Sequence, residues 1–138
     1  MTNEAVLLVQ KTFPENMTCA NATGIAKGTI LKLADPNTAS ASTGTYDIVA
    51  GIAYTQKVAS DGNTQIAVLT GPGDIVKLVA SGSIAVGDPV GTAAPGNQVI
   101  SIANVPALSG SKRLGYARET ATDGETLKVV LNIGSGLS

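Results

Sequence analysis

Ten acidic residues, one cysteine and no histidine set the chemistry open to this chain of 138 residues. Without imidazole there is no Ser-His or Cys-His nucleophile, no His-containing zinc site and no side chain that shuttles protons near neutral pH. Acid-base work would fall to a carboxyl pair. Yet Asp35 and Asp88 precede Pro36 and Pro89, and Asp61 and Asp123 precede Gly62 and Gly124, positions where the side chain is normally a turn former. Glu119 and Glu125 flank the second Asp-Gly pair and read as solvated. The segment Gly71 to Asp74, GPGD, resembles a phosphate loop but lacks the following Lys-Ser/Thr and leads into no helix. Asp61-Gly62-Asn63 has too few oxygen ligands for calcium. The absence of Trp and the presence of only three tyrosines weaken a sugar-binding reading. Cys19 cannot form an intramolecular disulfide, and with no histidine available to activate a thiol it reads as a small buried or half-buried apolar residue. The expectation is no catalytic residue, no metal site and no cofactor.

The best-organised feature around these turns is a doubled hairpin. The stretch GIAYTQKVASDGNTQIAVLTGPG from Gly51 to Gly73 is echoed by GYARETATDGETLKVVLNIGSG from Gly115 to Gly136. Asp-Gly between alternating runs is a strong hairpin signal, because Gly tolerates the positive φ that matches strand twist. Counted from the Asp-Gly pairs, Thr64, Val68 and Leu69 fall on Thr126, Val130 and Leu131. A second echo joins Ile25 to Leu31, IAKGTIL, with Ile84 to Val90, IAVGDPV. Residues of about 24–73 and 82–136 therefore read as two versions of one β-unit. Two copies are too few for a solenoid and fit a duplicated barrel or sandwich in which each half covers the apolar face of the other.

Further strands are expected at Thr29–Leu33, Ile48–Tyr54, Gln65–Thr70 and Asp74–Ala80. The small, polar segment NTASASTGTYD, residues 37–47, reads as a surface loop open to a partner-binding role. Asn104 to Leu114 could hold one short helical turn, with Asn104 as its cap. Residues 1–16 hold the β-prone run AVLLVQKTF, stopped by Pro14, and read as an N-terminal arm or first strand outside a single β domain of residues 17–138. The predicted class is all-β: a compact barrel or sandwich of two related β-units, with an extended arm or strand and little or no helix.

Apolar residues make up 43% of the chain but only one is Phe and none is Trp, so the core must be built from Val, Ile, Leu and Ala. A net charge of -1 without a run of like charges lacks the footprint of a nucleic-acid binder. No apolar run approaches the ~20 residues of a membrane helix. The short run Ala5 to Val9 has no basic start and does not read as a signal peptide, so the sequons at Asn16 and Asn21 carry no expectation of glycosylation.

The order of IVKLVASGSIAVGDPV, a Gly-containing turn and KRLGYARETATDGETLKVVLNIG resembles the small capsid cement or decoration proteins of tailed bacteriophages. The resemblance spans about Gly51 to Gly134 and is most specific in Val76 to Val90 and Gly115 to Leu131. It implies a protein on the outer surface of an icosahedral head, made in the bacterial host cytoplasm. It further implies binding to the major capsid protein, often as a homotrimer near local threefold positions, to stabilise the shell against packaged DNA. Nothing in it implies catalysis or a cofactor. The arm is the candidate for capsid or subunit contact, through Thr2, Asn3, Glu4, Val6, Leu8, Gln10 and Phe13, since an unpaired β-prone run can add to a sheet edge. The competing readings are a first strand of the domain's own sheet for the arm, and for the whole chain a small β-module that binds a glycan or small ligand. An enzyme on such a scaffold comes last, needing carboxyl groups brought together by the fold.

Overall fold

The computed structural model describes residues 4–35, 38–93, 97–103 and 112–133. Among the described residues, ten of eleven strands form two five-stranded closed barrels. The first is built from β2 (Glu15–Thr18), β3 (Ile30–Asp35), β4 (Thr38–Ala41), β5 (Val49–Ala53) and β6 (Gln65–Leu69). The second uses β7 (Ile75–Ala80), β8 (Pro89–Ala93), β9 (Gln98–Ser101), β10 (Gly115–Ala117) and β11 (Thr126–Leu131), while β1 (Val6–Val9) adds to β7 at Ile75–Lys77, on the edge that β9 takes further along. The described residues contain no α-helix. The turn expected from Asn104 lies outside them, apart from its end at residues 112–114.

The pairing scheme recurs strand for strand. In the first barrel β2 runs antiparallel to β6 and parallel to β4, β3 pairs antiparallel with β4 and β5, and β5 with β6. The second barrel repeats each pairing with β7, β11, β9, β8 and β10 in the same places. The Ile-Ala-x-Gly echo is structural as well. Ile25 and Ile84 each form an isolated bridge, and Gly28 and Gly87 donate to Ala53 O at 2.9 Å and Ala117 O at 2.8 Å. Gly51 and Gly115 are equivalent too, standing opposite Leu31 and Val90. A Cβ would lie 2.5 Å from Leu69 O at the first and 1.9 Å from Val130 O at the second, so both strand crossings require glycine.

Register corrects one detail of the repeat. Ala53 pairs with Val68 as Ala117 pairs with Val129, so Val68 matches Val129, where counting from Asp-Gly had put it on Val130. The turns explain the slip. Lys57 bridges Ile25 as Ala121 bridges Ile84, and the positive-φ residue that follows is Ser60 (57°) in the first copy and Gly124 (85°) in the second. Asp61-Gly62 is therefore extra chain, not the counterpart of Asp123-Gly124. In a strand, an error of one residue exchanges the buried and outward faces.

Strands β2 and β4 lie where no strand was expected. β4 occupies the supposed surface loop, with Ala39 buried, and its Ser, Thr and Ala side chains owe their extended conformation to pairing with β3. β2 follows directly on Pro14 and turns only Met17 inward, too little apolar signal to be legible.

The core is aliphatic, as composition requires. Met17, Cys19, Ile25, Leu31, Ala39, Ala50, Ala53, Ile66 and Val68 fill the first barrel. The larger cluster combines side chains of the second barrel, among them Leu78, Ile84, Val90, Leu127 and Leu131, with Ile30, Val49, Ile52 and Leu69 from strands of the first. Strand β5 is buried at every position because its two faces serve different clusters: Ala50 and Ala53 the first, Val49 and Ile52 the second. Polar contacts lock the same junction. Ile30 N–H donates to Asn97 Oδ1 at 2.7 Å, Asn97 Nδ2 to Gly28 O at 2.9 Å, and Asp47 N–H to Thr92 Oγ1 at 2.8 Å.

Candidate functional site

Most of the carboxyl groups that could have done chemistry accept hydrogen bonds within the fold, and the Asp35 side chain lies outside the described residues. Asp47 accepts from Ser42 Oγ, Thr43 N and Gly44 N at 2.8, 3.1 and 2.9 Å. Burial alone would raise its pKa, but these accepted bonds outweigh that and hold it below the ordinary carboxylate range. Asp88 accepts from Ala85 N and Ser101 Oγ, Asp123 from Gly82 N, and Glu119 from Lys128 N. Glu125 accepts Thr122 N–H at 2.8 Å, which lowers its pKa. No cluster of three or more His, Cys, Asp or Glu able to hold a metal exists among the described residues.

Asp61 does more than form a turn. It pairs at 2.8 Å with Lys57, a buried lysine whose ammonium also donates to Asn21 O at 3.0 Å. The bond from Lys57, with a second from Asn63 N–H, depresses the Asp61 pKa. Neither role was legible, because Lys57 sits in a segment without apolar alternation. Cys19 is buried in the first barrel, and desolvation raises its pKa.

The arm is the remaining candidate. β1 pairs antiparallel with β7, Val6 opposite Lys77 and Leu7 opposite Val76, and so it is a strand of the second barrel's own sheet. Ala5 is buried and Leu7 packs against the large cluster, while Val6 (49%) and Leu8 (44%) remain exposed. Past β1 the chain is held by Asp74, a fully buried residue immediately before β7. Its carboxyl group accepts Thr12 N–H at 3.0 Å, Lys11 N–H and the Thr12 hydroxyl. Tyr54 Oη donates to Gln10 Oε1 at 3.2 Å. This anchoring leaves Phe13, the single phenylalanine, 93% exposed. GPGD thus ends in an arm anchor, a role sequence reasoning missed because the donors lie about sixty residues away.

Of the predicted contact residues, Glu4, Val6, Leu8, Gln10 and Phe13 all lie exposed along this arm, and Thr2 and Asn3 fall outside the described residues. A cleft of about 630 Å³ opens between the arm and β5, walled by Glu4, Val6, Lys27, Ile52, Tyr54 and Leu69.

The chain is thus an all-β double barrel with an anchored, apolar-faced arm. No protein-family model matches it, and no curated protein matches it. Among solved structures it is similar to the head fiber gp8.5 N base of bacteriophage phi29, with a TM-score of 0.52 and 18% identity over 86% of this chain and 92% of that one. At that identity the likeness is one of fold.

Proposed function

We propose that this chain is a structural virion protein, a capsid cement or decoration protein that binds the outer surface of an icosahedral phage head and stabilises it. The observation that carries this reading is the double-barrel fold shared, over most of both chains, with a protein described as a phage head fiber base. The sequence resemblance from Gly51 to Gly134 points the same way. The reading needs no catalysis or cofactor. The arm supplies the contact to the major capsid protein or a sister subunit, through Thr2, Asn3, Glu4, Val6, Leu8, Gln10 and Phe13. An exposed strand edge and a projecting aromatic side chain suit such docking. Three copies about a local threefold axis would turn modest contacts into firm attachment by linkage.

Purified protein mixed with undecorated heads should co-sediment with them and raise the temperature at which DNA escapes, and sizing with mass detection should give a trimer. Protein that stays in the supernatant across salt and protein concentrations overturns the reading. The cleft beside the arm, within the ~300–1,000 Å³ range of ligand pockets, favours a second reading as a glycan or small-ligand module. A glycan array together with ligand-induced shifts in melting temperature tests it.

A further inference from the structure

The near-zero net charge conceals an uneven distribution. The carboxyl groups of Asp47, Asp61, Asp74, Asp88, Glu119, Asp123 and Glu125 all accept main-chain N–H donors within the fold. Their negative charge is tied into turns and loop anchors. Three cations have the opposite placement. Lys77 on β7 and Lys128 on β11 are directly opposed, both exposed on the outward face of the second barrel. Arg118, also exposed, continues the row by donating its main-chain N–H to Lys128 O at 2.8 Å. Val6 stands opposite Lys77 on the other side, so the row reads Val6, Lys77, Lys128, Arg118 across four neighbouring segments.

Like charges directly opposed on a sheet are destabilising. No ion pair among the described residues involves Lys77, Lys128 or Arg118 to relieve this. Glu119 reaches the row through Lys128 N–H, but one carboxyl beside three cations leaves it net positive. The duplication supplies an internal control. Asn16 pairs with Ala67 where Lys77 pairs with Lys128, and Tyr54 N–H donates to Ala67 O where Arg118 N–H donates to Lys128 O. The same fold is therefore built with Asn, Ala and Tyr at these three places, so the framework does not demand cations there.

We infer that this face of the second barrel docks an acidic protein surface, a strip of carboxylate and aliphatic side chains on the shell subunit. This inference rests on the head-binding reading. Charge complementarity selects the carboxylates, and the exposed Val6 and Leu8 beside the row select aliphatic neighbours for them. A nucleic acid fits less well, because only three cations are present and their flank is apolar.

The test compares wild type with two variants in co-sedimentation with undecorated heads at low and high salt. One carries the first-barrel residues, Lys77→Asn, Arg118→Tyr and Lys128→Ala; the other carries Lys77→Glu and Lys128→Glu. The first should match or exceed the wild-type melting temperature, since it removes the opposed cations, and the second should stay near it because it preserves a like-charge pair. Expected are salt-weakened binding by wild type, a loss of about tenfold or more in the first variant, and a greater loss in the second. Variants that bind like wild type overturn the docking face and leave the head-binding reading intact, whereas a wild type that never binds heads overturns both. Displacement from heads by short duplex DNA, or a variant that loses its oligomeric state in free solution, would reassign the row to nucleic acid or to a second copy and overturn the acidic shell partner.

Discussion

Replacing Asp74 with alanine is the sharpest perturbation of the arm. The side chain is fully buried and accepts from Lys11 N, Thr12 N and Thr12 Oγ1, so its removal strands three donors in one place. Leaving a buried polar group unsatisfied costs about 1–3 kcal/mol. With partial rescue by water reaching the loop, the loss should come to about 3–5 kcal/mol, or a fall of roughly 10–15 °C in melting temperature for a domain of this size. Asp74→Asn keeps an oxygen for the two main-chain donors and should lose only about 1–2 kcal/mol. The failure should be local before it is global, because β1 touches the body through β7 and the burial of Ala5 and Leu7. Hydrogen exchange should therefore show faster exchange in β1 and residues 10–12 of Asp74→Ala, while β11 keeps its protection. An Asp74→Ala protein within about 1 kcal/mol of wild type, with unchanged exchange in β1, would refute the anchoring argument.

Gly115→Ala, which sets a Cβ 1.9 Å from Val130 O, should cost at least about 3 kcal/mol in chemical denaturation. Gly124→Ala, in open space at φ 85°, should cost only about 1–2 kcal/mol, and the reverse order would contradict the close strand approach assigned to Gly115. The folded-state pKa values of Asp47, Asp61 and Glu125 are depressed, so their contribution is present above the unfolded values of about 3.9 and 4.3 and is lost as pH falls through the lower folded ones. With no histidine, melting temperature should be nearly flat from about pH 6 to 8 and drop below about pH 4; a step near neutrality would count against this assignment. Phe13→Ser should leave the melting temperature unchanged, since the residue is 93% exposed, yet weaken head binding by about tenfold. Equal binding by that variant would remove Phe13 from the contact surface.

Local pattern was enough to specify the class of fold and its duplication. Alternating Val, Ile and Leu between Gly- and Pro-marked turns can bury only one face of a strand, and the Ile25 and Ile84 phrases and the Gly51 and Gly115 crossings repeat because each half solves the same packing problem. Composition made the core largely aliphatic, since the aromatic side chains number only one Phe and three Tyr. Chain closure in three dimensions settled the rest. Small polar residues became β4 because β3 offered hydrogen-bonding partners, and β2 formed on one inward side chain, Met17. The register of the second hairpin came from pairing with β10, and so Val129, not Val130, joins the large core cluster, as its counterpart Val68 joins that of the first barrel. Asp74 found its donors in the arm and Lys57 its carboxyl partner within a turn, contacts no periodicity encodes. The row of Lys77, Lys128 and Arg118 is the clearest case: three cations scattered in sequence become neighbours only when antiparallel strands place them side by side.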